Sequence, residues 1–89
     1  MKVFYVTIEG EQIPFKLNKR AISEWEEKTG RKITDNTTTK EGVMLMHEAL
    51  KEGHRRDGKK FDITLDQVFD WTDDYDLENQ MMSVSEKKE

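Results

Sequence analysis

Residues 38–57 read TTKEGVMLMHEALKEGHRRD, and the fold is organised around this stretch. Thr38 and Glu41 have capping-box spacing: the hydroxyl accepts from a free amide of the first turn and the carboxylate reaches back to another, so a helix is predicted from Thr39. At about 100° per residue, Val43, Met46, His47, Leu50 and His54 fall on one face, with Gly42, Ala49 and Gly53 along its flank. Such a flank of small residues suits the close approach of another helix. The helix ends in a basic turn at Asp57-Gly58, a turn dipeptide.

Working outward toward the N-terminus, Val3 to Ile8 alternates as a strand with Phe4, Val6 and Ile8 on the core side. Glu9, Gly10 and Glu11 turn the chain, and Gln12 to Lys16 returns with Ile13 and Phe15, completing a β-hairpin. Pro14 cannot donate to a ladder, so its strand should be an edge or have that position facing solvent. A helix follows from Asn18 as N-cap to Thr29, with Gly30 in the left-handed position after it. Ala21, Ile22, Trp25 and Thr29 form its core stripe, and Glu24 can pair with Lys28 outside. Arg31 to Thr37 is a polar connection rich in residues that bond their own backbone.

Toward the C-terminus, Phe61 is a core plug in the crossover, and Thr64 with Gln67 repeats the capping-box spacing. The short helix this opens carries Leu65, Val68, Phe69, Trp71 and Thr72 on a broad apolar face. Asp73, Asp74 and Asp76 suit the positive end of a last helix starting near Asp74. Leu77, Met81 and Val84 form one stripe of that helix, with Tyr75 and Met82 together on another side. The predicted fold is α+β and helix-dominant, an N-terminal β-hairpin packed on three to four helices. It is one domain over residues 1–84, and the polar residues 85–89 are predicted to fray.

The chain has 89 residues, 34% of them hydrophobic and 38% charged, with a net charge of −4. A domain this small buries only about 60–65% of its unfolded surface, so its stability margin is thin and a partner can complete the burial of apolar surface. No cysteine is present, which excludes disulfides, thiolate metal sites and thiol nucleophiles, and the composition fits a reducing cytoplasm. The longest apolar run, Val43 to Met46, is four residues against the roughly 18 a membrane span needs, and residues 1–10 lack a signal-peptide apolar segment. The acidic balance opposes broad neutralisation of nucleic-acid phosphates.

Several constellations invite chemistry. His47 and His54 are seven residues apart, about 10.5 Å along a helix, too far to share one metal, and they read as boundary histidines. The acidic string Asp70 to Glu78 lacks the glycine that a calcium loop needs for its sharp turn. Arg55, Arg56, Lys59 and Lys60 are the basic cluster: they answer the dipole of the central helix or, in an alternative reading, give a small regulatory module a local contact with nucleic acid. The serines are Ser23, Ser83 and Ser85, and neither a phosphate-cradling glycine loop nor a dinucleotide fingerprint occurs, so no enzyme, metal or cofactor is expected. What remains is apolar surplus off the helix stripes at Met44, Leu45, Tyr75 and Met82. These four are either second-layer core contacts or a surface that binds another protein.

The ordered phrases AISEWEEKTG (residues 21–30) and ALKEGHRRDG with DITLDQVFDW (residues 49–58 and 62–71), behind a short strand pair, resemble the tail assembly chaperones of long-tailed bacteriophages. The likeness covers residues 12–84. It implies a non-enzymatic protein of the infected host's cytoplasm, left out of the mature virion. Its partners would be the tape-measure protein, whose hydrophobic helices it keeps soluble, and tail-tube subunits, and it would self-associate. Family members often occur in a short form and a frameshifted longer form, and Glu86-Lys87-Lys88 suits an A-rich slippery run that the codons would reveal. The acidic and aromatic character of Asp70-Trp71 and Asp73-Asp74 departs from the family pattern at the short third helix.

Overall fold

The computed structural model describes residues 3–34 and 36–86, the side chains of 84–86 excepted. Its elements are β1 (Phe4–Ile8), β2 (Glu11–Phe15), α1 (Lys19–Thr29), α2 (Thr39–Arg56), α3 (Leu65–Asp74) and α4 (Leu77–Glu86), an α+β arrangement dominated by helix. The strands pair antiparallel from Phe4 with Phe15 to Ile8 with Glu11. Only Glu9 and Gly10 lie between them, at φ 53° and 80°, so both central positions of the turn are left-handed, as a hairpin of matching twist requires. Glu11 thus belongs to the strand, which ends one residue before Lys16.

Lys16 instead donates its backbone N–H to the carbonyl of Ala49 at 2.9 Å, tying the end of the hairpin to α2. Four residues on, a methyl group on Gly53 would lie 2.2 Å from Cα and 2.4 Å from N of Phe15. The small flank of α2 therefore admits a strand, not the second helix expected there. The exposed backbone edge of β2 needs a cover, and a helix surface carrying only a methyl at Ala49 and no side chain at Gly53 lets the two backbones meet.

The other edge of the hairpin is closed by a side chain. Thr7 donates its N–H to Gln80 Oε1 at 2.8 Å, and Gln80 Nε2 donates to the carbonyl of Thr7 at 3.0 Å and to that of Tyr75 at 3.0 Å. One amide of α4 occupies the place of a third strand. Because Thr7 directs its backbone groups outward, the antiparallel alternation makes the Tyr5–Pro14 pair non-hydrogen-bonded as well, and the missing N–H of Pro14 costs the ladder nothing.

Asn18 caps α1, accepting from the N–H of Ala21, and Gly30 closes it at φ 72°. Trp25 is fully buried and donates its indole N–H to the carbonyl of Glu41 at 2.7 Å, fixing α1 across the first half of α2. Lys28 pairs with Glu48 of α2 at 2.5 Å and not with Glu24, because the buried Glu48 carboxylate offers a partner screened from water. The connection after α1 is exposed at residues 32–34 and 36–38, and Arg31 spans it by donating to Glu41 and to the carbonyl of Asn36. Both capping boxes are present, Thr38 with Glu41 and Thr64 with Gln67.

The last two helices divide differently from the expectation. Asp74 is the final residue of α3, and α4 starts at Leu77 after Asp76, whose φ of 53° breaks the helical path. Asp and Asn tolerate this left-handed conformation better than most residues. Asp76 also accepts from the side chain of Asn79 and, through its carbonyl, from the N–H of Gln80. Asp73 and Asp74 consequently stand at the negative end of α3, where no basic residue occupies the last turn, and not at the positive end of α4. The core joins Val6, Ile8 and Phe15 of the hairpin to Val43, Ala49 and Leu50 of α2, Val68 of α3, and Leu77 and Met81 of α4. Val84, expected on the same stripe, lies outside the described side chains. The helical bounds take in residues 85 and 86 of the expected frayed tail, and residues 87–89 lie outside the described ones. No helix among the described residues is long and apolar enough to cross a membrane.

Candidate partner-binding groove

An open apolar groove of about 450 Å³ runs along the N-terminal half of α2. Thr39, Gly42, Val43, Leu45, Met46 and Ala49 of α2 form its floor. Phe15 and Leu17, the strap between β2 and α1, make one wall, and Thr72 of α3 with Glu78, Met81 and Met82 of α4 make the other. Met82 is 53% exposed and Leu17 45%, so apolar area faces solvent on both rims. A methyl group added at Gly42 would meet nothing within 4 Å, which leaves the α2 backbone open to close approach.

Of the four off-stripe residues, Leu45 and Met82 come together here. Met44 is half-buried and does not line the groove. Tyr75 serves the fold: it is half-buried against the core and its hydroxyl donates to Glu9 Oε2 at 3.0 Å, clasping the α3–α4 junction to the hairpin turn. That hydrogen bond, with burial second, raises the Tyr75 hydroxyl above its ordinary pKa. Tyr75 and Met82 thus do not form one patch, because the helix break at Asp76 separates them. Leu17 is the residue sequence reasoning missed. Its signal is slight, a single large apolar side chain between the strand and the N-cap Asn18, on no periodic stripe.

The basic turn is organised around a buried acid. Glu52 is 4% exposed and accepts from Arg55 Nε and Nη2, each at 2.8 Å, and from Asn18 Nδ2 at 2.9 Å, with Arg56 Nε at 3.6 Å. The Arg55 hydrogen bonds outweigh burial and, with Asn18, hold the Glu52 carboxyl down at about 2. Lys59 lies 3.7 Å from Asp57, which also accepts from the Tyr5 hydroxyl. Three of the four cations proposed for nucleic acid therefore face carboxylates of their own chain, which weakens the local positive field that phosphate contact draws on. Lys60 is exposed.

The two histidines flank Phe61, whose ring lies edge-on at 5.2 Å from His47 and 5.1 Å from His54. His47 bonds the carbonyl of Ile63 and His54 that of Leu50, so the aromatic crossover is a packed plug with both imidazoles tied to backbone. Ser23 and Ser83 are both exposed, on α1 and α4. Among the described residues no group of three His, Asp or Glu side chains is placed to hold a metal ion. No family model, no curated protein and no solved structure matches this chain.

Proposed function

We propose that the protein is a non-enzymatic assembly chaperone that shelters apolar helical segments of another polypeptide in the groove between α2 and α4. The observation that carries this reading is the coexistence of a closed core with apolar side chains left exposed on both rims of one groove, at Leu17 and Met82. Isolated exposed apolar residues are ordinary, but a contiguous apolar concavity on an otherwise charged surface marks a binding site. Methionines at 46, 81 and 82 give the groove a lining that adapts to different anchor side chains, as in other helix-in-groove binders.

Taken with the resemblance noted above, the client is the tape-measure protein of a long-tailed phage, with tail-tube subunits recruited to the same complex in the host cytoplasm. Co-expression with a tape-measure fragment tests this. The fragment stays soluble with the native protein and precipitates with the Met82→Glu variant, which puts a charge on the groove rim. Equal precipitation with and without the native protein overturns the proposal.

A further inference from the structure

The walls of the groove differ in charge in a way that selects its occupant. Residues 1–60 carry thirteen Lys and Arg against ten Asp and Glu, whereas residues 61–86 carry eight Asp and Glu and no Lys or Arg. The second segment builds α3 and α4, so one wall belongs to a stretch of chain without a single cationic side chain. Glu78 is the only charged side chain lining the groove among the described residues. Thr72 lines it too, and Asp73 and Asp74 follow directly, exposed at the negative end of α3. The facing wall, Phe15 and Leu17, is uncharged, and on the floor the N-terminal end of α2 is capped by Glu41, with Lys40 exposed beside Thr39.

We infer that the groove takes an amphipathic helix with aliphatic anchors on one face and Lys or Arg along the flank that meets Glu78, Asp73 and Asp74. The assignment rests on the groove being the client site proposed above and names the chemistry of its occupant. A volume of about 450 Å³ is within the range of formed binding pockets and accepts the anchors of a short helical stretch. A second copy of this chain meeting through the same face would set concavity against concavity and leave the apolar rims unfilled. A convex helix fills them. Complementary charge then fixes which way the helix lies and raises its association rate.

The test uses two fluorescent peptides with the same Leu-rich face, one flanked by Lys and the other by Glu, titrated into the full chain by anisotropy. The Lys-flanked peptide binds about tenfold tighter at low salt, since several exposed charge pairs reverse sign between the two. At about 1 M salt, where the Debye length falls to about 3 Å, the preference collapses while apolar binding remains. Glu78→Lys and Asp74→Lys each reduce the preference without abolishing binding, and Met82→Glu weakens both peptides. If both peptides bind equally and both respond to Met82→Glu, the groove stands as a client site and the charge assignment is overturned. If neither binds, both readings fall. A self-associated species dissolved by Met82→Glu places a second copy in the groove and likewise overturns the inference.

Discussion

Replacing Gly53 by alanine should destabilise the protein although it improves the intrinsic helix propensity of α2. Gly to Ala in a helix interior ordinarily gains about 1 kcal/mol. Here the new methyl would sit 2.2, 2.4 and 2.6 Å from Cα, N and C of Phe15, all backbone atoms, with no side chain able to swing aside. Ordinary contact begins near 3.4 Å, so α2 and β2 must separate by more than 1 Å. Overpacking of this kind costs about 1–3 kcal/mol. The shift also stretches the Lys16–Ala49 bond, 2.9 Å in the native chain, which contributes about 0.5–1.5 kcal/mol. Set against the propensity gain, the net loss is about 2 kcal/mol, or about 8–16 °C in Tm for a domain of this size. Gly42→Ala in the same helix is the control: its methyl meets nothing within 4 Å, so it gains the propensity term and raises Tm by several degrees. Urea and thermal unfolding of the two variants decide the matter. A Gly53→Ala protein as stable as the native chain would refute the close packing of α2 on β2.

Gln80→Ala removes the amide that closes the edge of β1 through Thr7 and holds the carbonyl of Tyr75. It should cost about 1–3 kcal/mol and speed hydrogen exchange at the Thr7 amide, a change read by NMR. Unchanged exchange would show that Gln80 does not seal that edge. For Glu52 the folded-state pKa is depressed to about 2 from about 4.5, so its stabilisation is full above 4.5 and is lost as the pH falls through 2. Each pKa unit is about 1.4 kcal/mol, but Arg55 is 54% exposed and screened, which reduces the effect to about 1–2 kcal/mol. Glu52→Gln should flatten that portion of the stability profile followed by circular dichroism between pH 5 and pH 2. A profile that keeps its slope would place the acid sensitivity elsewhere.

What the sequence disclosed was mostly local. Asn18, Gly30, Thr38 with Glu41, and Thr64 with Gln67 act within a turn of their own position, and each caps the helix its spacing predicts. Trp25 was legible because it falls on the single apolar stripe of α1, and Phe61 because an aromatic in a polar crossover has few other places to go. The failures involve partners distant in sequence. Gly53 announces a close approach but not what approaches, and only the folded chain brings Phe15 to it. Gln80 lies 73 residues from Thr7 and nothing in its helix marks it as a strand surrogate. Lys28 had an eligible partner one turn away in Glu24 and takes Glu48 of another helix instead. Composition does not distinguish Asp73, Asp74 and Asp76 as the break between α3 and α4; backbone conformation singles out Asp76.

The candidate site was half legible for the same reason. Leu45 and Met82 stand off their helix stripes, which identifies them as surplus apolar area, and the fold places both on the lining of one groove. Tyr75 met the same criterion, but its hydroxyl reaches Glu9, 66 residues away. Leu17 belongs to no periodic element, so no pattern could enrol it.

The methionines provide the most direct test of the groove, because 44, 46, 81 and 82 span it and its surroundings. With methyl-labelled methionine, binding of a tape-measure fragment should shift the Met46, Met81 and Met82 resonances and leave Met44 in place. Shifts confined to Met44, or none at all while the fragment is bound, would show that the client sits elsewhere on the molecule.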